Sequence, residues 1–298
     1  MTVKPLDETI CLKQYLSEKD YQELQKLEKQ CYSYDKTKLK LELDFKIAVS
    51  RNAPSGLKEI NEFFYYVDEQ LVAYLGISSF GGNIGEINGM THPDYRKKGV
   101  FRKLFTLAED ELKKRSFKKV LLLADGKSNS GPTFIKSVQG EYEFSEYRMK
   151  YLNDVTFENT ASVTLRKARE VDGKEIVRQN TIYFNMPQDA EWSLEQEESE
   201  NKSTFMVELD ERVIGKICVT FTNRTAYISG FGILPEFRGK GLGKSALTKL
   251  LRFIIEKDIN EIELDVECKN DTALNLYKAC GFEVLSVMNY YKYDLQGR

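Results

Sequence analysis

FFYYVDEQLVAYL at 63–75 and FMVELDERVIGKI at 205–217 follow one pattern: an apolar run, an Asp-Glu pair, and a second apolar run. Asp68 matches Asp210, an offset of 142. The same offset carries Pro93 to Pro235, Arg96 to Arg238, Gly99 to Gly241 and Ile135 to Tyr277. A register held that long without a gap marks a duplicated domain. A shift of one residue then sets Gly140 against Gly281. The chain therefore reads as two domains, 1–153 and 154–298, with the boundary near NDVTFENT at 153–160. Its 298 residues fit that division, at about 100–200 residues per domain. Each half is long enough to bury a core without a disulfide or metal staple.

Each copy shows the same coarse layout. A first strand (about 7–15; about 162–169) precedes a charged helical stretch. The Asp-Glu hairpin follows, bounded by turn signals. A further strand, 84–91 or 226–234, ends at a proline. A basic, Gly-containing turn then opens a helix over 99–115 or 241–257, where Leu247, Leu250, Leu251, Ile254 and Ile255 recur at helical spacing. A buried strand follows (VLLLA at 120–124, EIELDV at 261–266), then a short helix and a last hairpin. Strands joined through helices imply an α/β architecture with a mixed sheet. The acidic run LEQEESENKS at 194–203 reads as a solvated loop.

Composition narrows the function classes. With 44 basic and 46 acidic side chains the net charge is −2, which argues against a protein that grips nucleic acid through a basic surface. His92 is the single histidine, so multi-histidine metal sites are excluded and no metal is expected. Lying between Thr91 and Pro93, His92 reads as a turn residue rather than a catalyst. The five cysteines are odd in number and show no C-x-x-C spacing, as expected of reduced thiols in the cytoplasm. The start, MTVKPLDETICLKQYL, lacks the pattern of a signal peptide, and no apolar run reaches membrane-spanning length.

The chemistry concentrates in LPEFRGKGLGKS at 234–245. A strand ends, glycines and lysines follow Arg238, and a helix begins. Glycine lets the backbone approach a ligand closely, and the free N–H groups of a helix start favour an anion. Arg238, Lys240 and Lys244 add positive charge, so the turn has the makings of a pyrophosphate cradle. A P-loop would need glycine where Arg238 stands, and a dinucleotide-binding G-x-G-x-x-G would need it at Lys244. Both fail by one residue.

The pattern that fits is R-x-x-G-x-G after a strand ending in proline. With Leu264, Asp265, Val266, Asn270, Ala273, Leu276, Tyr277, Gly281 and Phe282 downstream, the second copy resembles the GNAT superfamily of acyl-CoA-dependent N-acyltransferases. The whole chain is similar to tandem GNAT proteins. The resemblance implies two tandem α/β domains, each a mixed, mostly antiparallel sheet flanked by helices. It implies that Arg238, Gly239, Lys240, Gly241, Leu242, Gly243 and Lys244 hold the CoA pyrophosphate. It assigns backbone groups of Phe231–Ile233 to pantetheine and to the thioester carbonyl, Asn270 to the CoA arm, and Tyr277 to the general acid. A phenol with a pKa near 10 is protonated at neutral pH and can donate to a thiolate. The implied partners are acetyl-CoA and an amine, on a small molecule or a peptide, with neither nucleic acid nor membrane. Glu208, Asp265 and an ordered water all remain open as the base.

The first copy departs from this pattern. Arg96, Lys97, Lys98 and Gly99 keep a basic turn that could form a second cofactor site. Phe101 replaces the last glycine, Ser128 stands at the Asn270 position, and Ile135 stands at the Tyr277 position. The first domain is thus expected to be degenerate, structural or substrate-binding, and the second catalytic. The rival reading is a non-catalytic acyl-CoA sensor or scaffold built from two decayed copies. A nucleotide-binding protein is a weaker rival.

Overall fold

A computed structural model describes residues 7–51, 58–79, 83–152, 163–199, 201–222, 225–259 and 261–295. The expected linker, 153–160, lies outside them. The first copy forms β1 (Glu8–Lys13), α1 (Glu18–Asp35), α2 (Leu43–Arg51), β2 (Glu62–Val67), β3 (Gln70–Ser78), β4 (Ile84–Thr91), α3 (Val100–Lys114), β5 (Lys119–Asp125), α4 (Ser130–Ser137) and β6 (Glu141–Tyr151). The second forms β7 (Thr164–Lys167), α5 (Gly173–Phe184), α6 (Leu194–Ser199), β8 (Lys202–Leu209), β9 (Arg212–Thr222), β10 (Thr225–Ile233), α7 (Leu242–Ile255), β11 (Glu261–Glu267), α8 (Asp271–Ala279) and β12 (Phe282–Tyr293). Single 3-10 turns, Pro93–Tyr95 and Pro235–Phe237, follow β4 and β10.

The Asp-Glu pairs make the same tight hairpin twice. Asp68 and Glu69 have φ of 46° and 63°, and Asp210 and Glu211 have φ of 49° and 64°. Two successive left-handed residues give the turn twist that matches the flanking strands. The α7 pattern closes as expected: Leu247, Leu250, Leu251 and Ile254 are fully buried against β-strand side chains including Ile228, Ile262 and Leu264. Each such side chain contributes about 1.5–3 kcal/mol. In the first copy α3 buries Leu104, Phe105, Ala108 and Leu112 in the same way.

The chain divides into two compact units, Met1–Ser145 with Ser286–Arg298, and Glu146–Leu285. The first unit's sheet runs β1-β2-β3-β4-β5-β12 and the second's runs β7-β8-β9-β10-β11-β6. Every neighbouring pair in each is antiparallel except β4 with β5 and β10 with β11. The mixed, mostly antiparallel sheet is therefore present twice. The units do not follow the division at 153/154, because the last strands are exchanged. β12 pairs with β5, Met288 opposite Asp125, and β6 pairs with β11, Met149 opposite Leu264. Each unit thus closes its sheet with a strand encoded in the other copy.

The run 194–203 also differs from the solvated-loop reading. It contains α6 and the start of β8, and Glu197 is buried. The Glu197 carboxylate accepts hydrogen bonds from Trp192 Nε1, Thr204 N and the Thr204 hydroxyl. A buried carboxylate with several donors is a structural fixture that composition alone conceals.

Candidate active site

In the second unit, β10 leaves its neighbours where the motif begins. Its parallel pairing with β11 ends at Ile228 opposite Leu264. On the other side, Ser229 pairs with Cys218 and Gly232 with Lys216, so Gly230 and Phe231 together face Ile217. That is a β-bulge, and Gly230 holds it with a φ of 55°. Past Ile228 the strand therefore has no β11 partner and carries two residues outside the β9 register. Strands splayed at this point expose peptide groups to a ligand.

The turn that follows is open. Arg238 Nε donates to the Ile233 carbonyl at 2.8 Å, and the guanidinium lies over the Tyr183 ring at 5.9 Å. Its other two nitrogens have no hydrogen-bond partner among the described residues. Gly239 and Gly241 take φ of 75° and 76°, and a Cβ at either would meet nothing within 4 Å. Gly241 caps α7 without a side-chain hydrogen bond, and the first helical bond is Ser245 N to Gly241 O. The amides of Leu242, Gly243 and Lys244 thus lack intrahelical acceptors. These N–H groups, beside a guanidinium with two nitrogens unbonded among the described residues, have the chemistry to receive an anion. A Cβ at Gly243 would make only ordinary contacts with Leu276, Ile233 and Phe231, so the fold itself does not demand glycine there. Lys240 bends back onto the Glu236 carbonyl.

The downstream module lies on α8. Asn270 caps it, its Oδ1 accepting from Ala273 N at 3.1 Å, while its Nδ2 has no partner among the described residues. Tyr277 is 8% exposed and its ring packs edge-on against Phe282. Burial, with the Cys280 thiol as the smaller cause, pushes its phenol up to about 12. Its hydroxyl has no hydrogen-bond partner among the described residues. Leu276 touches the start of α7 at Gly243, so α8 is set against the cradle.

Both carboxylates considered as bases are engaged elsewhere. Glu208 accepts from Arg166 at 2.9 Å, and Asp265 is held by Arg148 at 2.8 and 3.0 Å. His92 is the turn residue expected of it, capping the 3-10 turn through Asp94 N.

The first unit repeats the turn, with Gly99 as open as Gly241 and the start of α3 likewise without a side-chain cap, but its arginine is engaged. Lys97 and Gly99 adopt φ of 60° and 78°, the conformations of Gly239 and Gly241. Arg96, however, is tied to Asp35 by two hydrogen bonds of 2.9 and 2.5 Å and to the Thr91 carbonyl by a third. Lys98 lies over the Tyr95 ring. β4 pairs with β3 from Glu86 to Thr91 without a bulge. Phe101 packs on Phe134 and against Gly89, where a Cβ would meet its ring at 2.8 Å. Asp125, at the end of β5, accepts the Lys38 amide and so holds the α1–α2 connection across that strand end. Ile135 is buried in the core.

Two residues near the second unit's bulge were not singled out by motif. Tyr183 packs its ring against Gly232, where a Cβ would clash with it. Lys216 is buried beside Gly230. For Lys216 the sequence did hold a signal, a lysine inside the otherwise apolar run VIGKICV at 213–219.

The sequence profile of the acetyltransferase (GNAT) family matches twice, over residues 21–131 and 174–282. Among solved structures the chain is similar to a GCN5-related N-acetyltransferase from Sphaerobacter thermophilus (15% identity, 96% of each chain covered, TM-score 0.76). It is also similar to a tandem GNAT protein from the clavulanic acid biosynthesis pathway (14% identity, 98% and 100% covered, TM-score 0.71). A third similar structure is a GNAT-family acetyltransferase from Colwellia psychrerythraea (14% identity, 96% and 100% covered, TM-score 0.60). At these identities the likeness is one of fold. Among the described residues no cluster of three or more ligating side chains could hold a metal, and no helix is long and apolar enough to cross a membrane.

Proposed function

The chain belongs to the acetyltransferase (GNAT) family, whose members transfer an acyl group from acetyl-CoA, and from that premise we propose that its second copy is an N-acetyltransferase acting by direct transfer to an amine. The observation that carries this reading is the bulge at Gly230–Phe231 lying just ahead of the uncapped α7 start with the free arm of Arg238. The reaction forms one C–N bond and breaks one C–S bond. The amine nitrogen gives up a proton, and the CoA sulfur takes one.

Each part of the site has a task in that balance. The amides of Leu242, Gly243 and Lys244, with Arg238 and Lys244, hold the pyrophosphate. Asn270 offers its Nδ2, unbonded among the described residues, to the CoA arm while its Oδ1 caps α8. Backbone N–H groups between Phe231 and Ile233 donate to the thioester carbonyl, where negative charge grows as the amine attacks. The Tyr277 hydroxyl, without a hydrogen-bond partner among the described residues, supplies the proton to sulfur. With Glu208 and Asp265 bound to arginines, the amine's proton leaves through water. The acceptor is an amine of a small molecule or a peptide. The first copy supports the fold, its Arg96 guanidinium already held by Asp35. Five free thiols accord with a reducing cytoplasm.

Acetyl-CoA is expected to raise the melting temperature, because the cradle exists only in the folded state. At one hundred times Kd the gain is about 2.7 kcal/mol, or several degrees. Differential scanning fluorimetry at millimolar acetyl-CoA checks this, and no shift would remove the cofactor assignment. A shift without CoA release across a panel of amines would favour the non-catalytic sensor.

A further inference from the structure

Lys216, in the middle of β9, is 1% exposed, and its Nζ donates to the Gly230 carbonyl at 2.9 Å. It is the only lysine so deeply buried among the described residues, and no carboxylate there forms an ion pair with it. Around the ammonium lie the Cys218 thiol at 3.9 Å and the Phe184 ring at 5.5 Å. Beyond Cys218 come the Thr204 hydroxyl at 3.1 Å, then Glu197, which also faces Lys202 at 3.6 Å. Burial pushes the Lys216 ammonium below the ordinary lysine pKa. A buried charge without a counterion costs several kcal/mol unless dipoles compensate it. Here the compensation comes from one peptide carbonyl at short range, with the Cys218 sulfur and the Phe184 ring farther off.

That peptide is the bulge. The Gly230 carbonyl and the Phe231 N–H are two ends of the same trans unit and point to opposite sides. Neither residue has a register partner on β9, and β11 pairing has already stopped at Ile228. A cation on the carbonyl oxygen withdraws electron density through the amide and strengthens the N–H as a donor, as in any cooperative hydrogen-bond chain.

The first copy supplies the comparison within one molecule. At the same offset of 142, Tyr74 stands for Lys216 and Asn88 for Gly230. The buried Tyr74 hydroxyl donates to Glu62, and the cation there, Lys46, is neutralised by Glu62 at 2.9 Å. β4 runs past Asn88 without a bulge. A cation resting on a bulge carbonyl is thus a feature of the second copy.

We propose that Lys216 is a positioning residue for acyl transfer: its ammonium holds the Gly230–Phe231 bulge and polarises that peptide, so that the Phe231 N–H binds the thioester carbonyl strongly. This rests on the acetyltransferase reading above. The test is the carbonyl resonance of acetyl-CoA labelled with 13C at the acetyl carbonyl, bound to the protein without acceptor, combined with steady-state kinetics. In the parent protein the resonance is expected downfield of free acetyl-CoA. Lys216→Met keeps the stem and removes the charge. It should lose most of that displacement and lower kcat by about tenfold or more, a share of the 10²–10³ associated with one oxyanion donor. Its Kd for acetyl-CoA should stay within about threefold of the parent's, because the pyrophosphate cradle is untouched.

Lys216→Gln restores a neutral donor, and its resonance should fall between those of the parent and Lys216→Met. A parent-like resonance and kcat in both variants would overturn the proposal, and full recovery in the glutamine variant alone would reduce Lys216 to a strut. Should neither variant fold, the parent decides. Its downfield displacement must fade as pH rises, before the ordinary lysine value of 10.5 is reached, and a displacement that persists overturns the proposal. Acetyl-CoA that binds with an unshifted carbonyl removes only the role of Lys216. Acetyl-CoA that does not bind at all removes the acetyltransferase reading, and this proposal with it.

Discussion

Tyr277→Phe is expected to slow turnover by about 10²–10⁴-fold, the contribution of a positioned general acid, while folding and binding acetyl-CoA as the parent does. The substitution removes one oxygen and keeps the ring that packs on Phe282. Because the hydroxyl has no partner among the described residues, its loss strands no buried donor or acceptor, and stability should change little. Catalysis is another matter. A phenol raised to about 12 is fully protonated at neutral pH, so the working form is always present. The sign of the pH effect follows directly: the acid form is lost only as pH approaches 12, and Tyr277 should impose no alkaline fall in kcat below about pH 11. Proton transfer from such a phenol to a free thiolate, with a pKa near 8.5, is uphill. The hydroxyl therefore acts as a hydrogen-bond donor while charge grows on sulfur, and the proton passes only once the C–S bond has broken and the thiolate has reached its full basicity. CoA release measured at saturating acetyl-CoA, for parent and variant across pH, checks both statements. A kcat within threefold of the parent would assign the proton to water or to another residue.

Arg238→Ala should raise KM for acetyl-CoA by well over tenfold, whereas Arg96→Ala should leave kcat and KM within a few-fold of the parent. The two arginines occupy the same place in the repeat, and their surroundings separate them. Arg238 spends one nitrogen on the Ile233 carbonyl, and the other two have no partner among the described residues, with the Tyr183 ring beneath. A charge-assisted hydrogen bond to phosphate is worth about 1.5–3 kcal/mol, which is one to two orders of magnitude in affinity. Arg96 spends both ends of its fork on Asp35 and its Nε on Thr91. Removing it breaks a partly exposed ion pair, so the expected loss is about 1 kcal/mol of stability rather than catalysis. Steady-state kinetics and melting curves on both variants separate these outcomes. Abolished turnover in Arg96→Ala, with Arg238→Ala tolerated, would move the active site to the first half.

Residue order alone disclosed much of this protein, for definite physical reasons. A tight two-residue hairpin of this kind takes two left-handed residues, a packed helix needs a face of apolar residues, and glycine supplies positive φ in an open turn at least cost. Asp68 and Asp210, the Leu247–Ile254 face, and Gly239 and Gly241 meet these local demands, so the repeat, the sheet type and the open turn ahead of α7 were legible one segment at a time. The loss of Tyr277's counterpart at Ile135 was legible too, because an aliphatic side chain cannot donate a proton anywhere in a fold.

What depended on distant partners was not legible. Nothing near Arg96 in the chain announces Asp35, 61 positions away, which occupies its guanidinium. The run 194–203 looked solvated because Glu197 meets its donors Trp192 and Thr204 only after α6 and β8 have packed. The exchange of β6 and β12 was hidden by the duplication itself: two similar last strands fit two similar sheet edges, and only the folded molecule selects between the pairings. The bulge is decided the same way. A glycine at 230 permits a φ of 55°, but it is the Lys216 ammonium, brought across from β9, that rests on its carbonyl. Local stereochemistry is written in the order of residues, whereas charge compensation and strand partnership are properties of the assembled sheet.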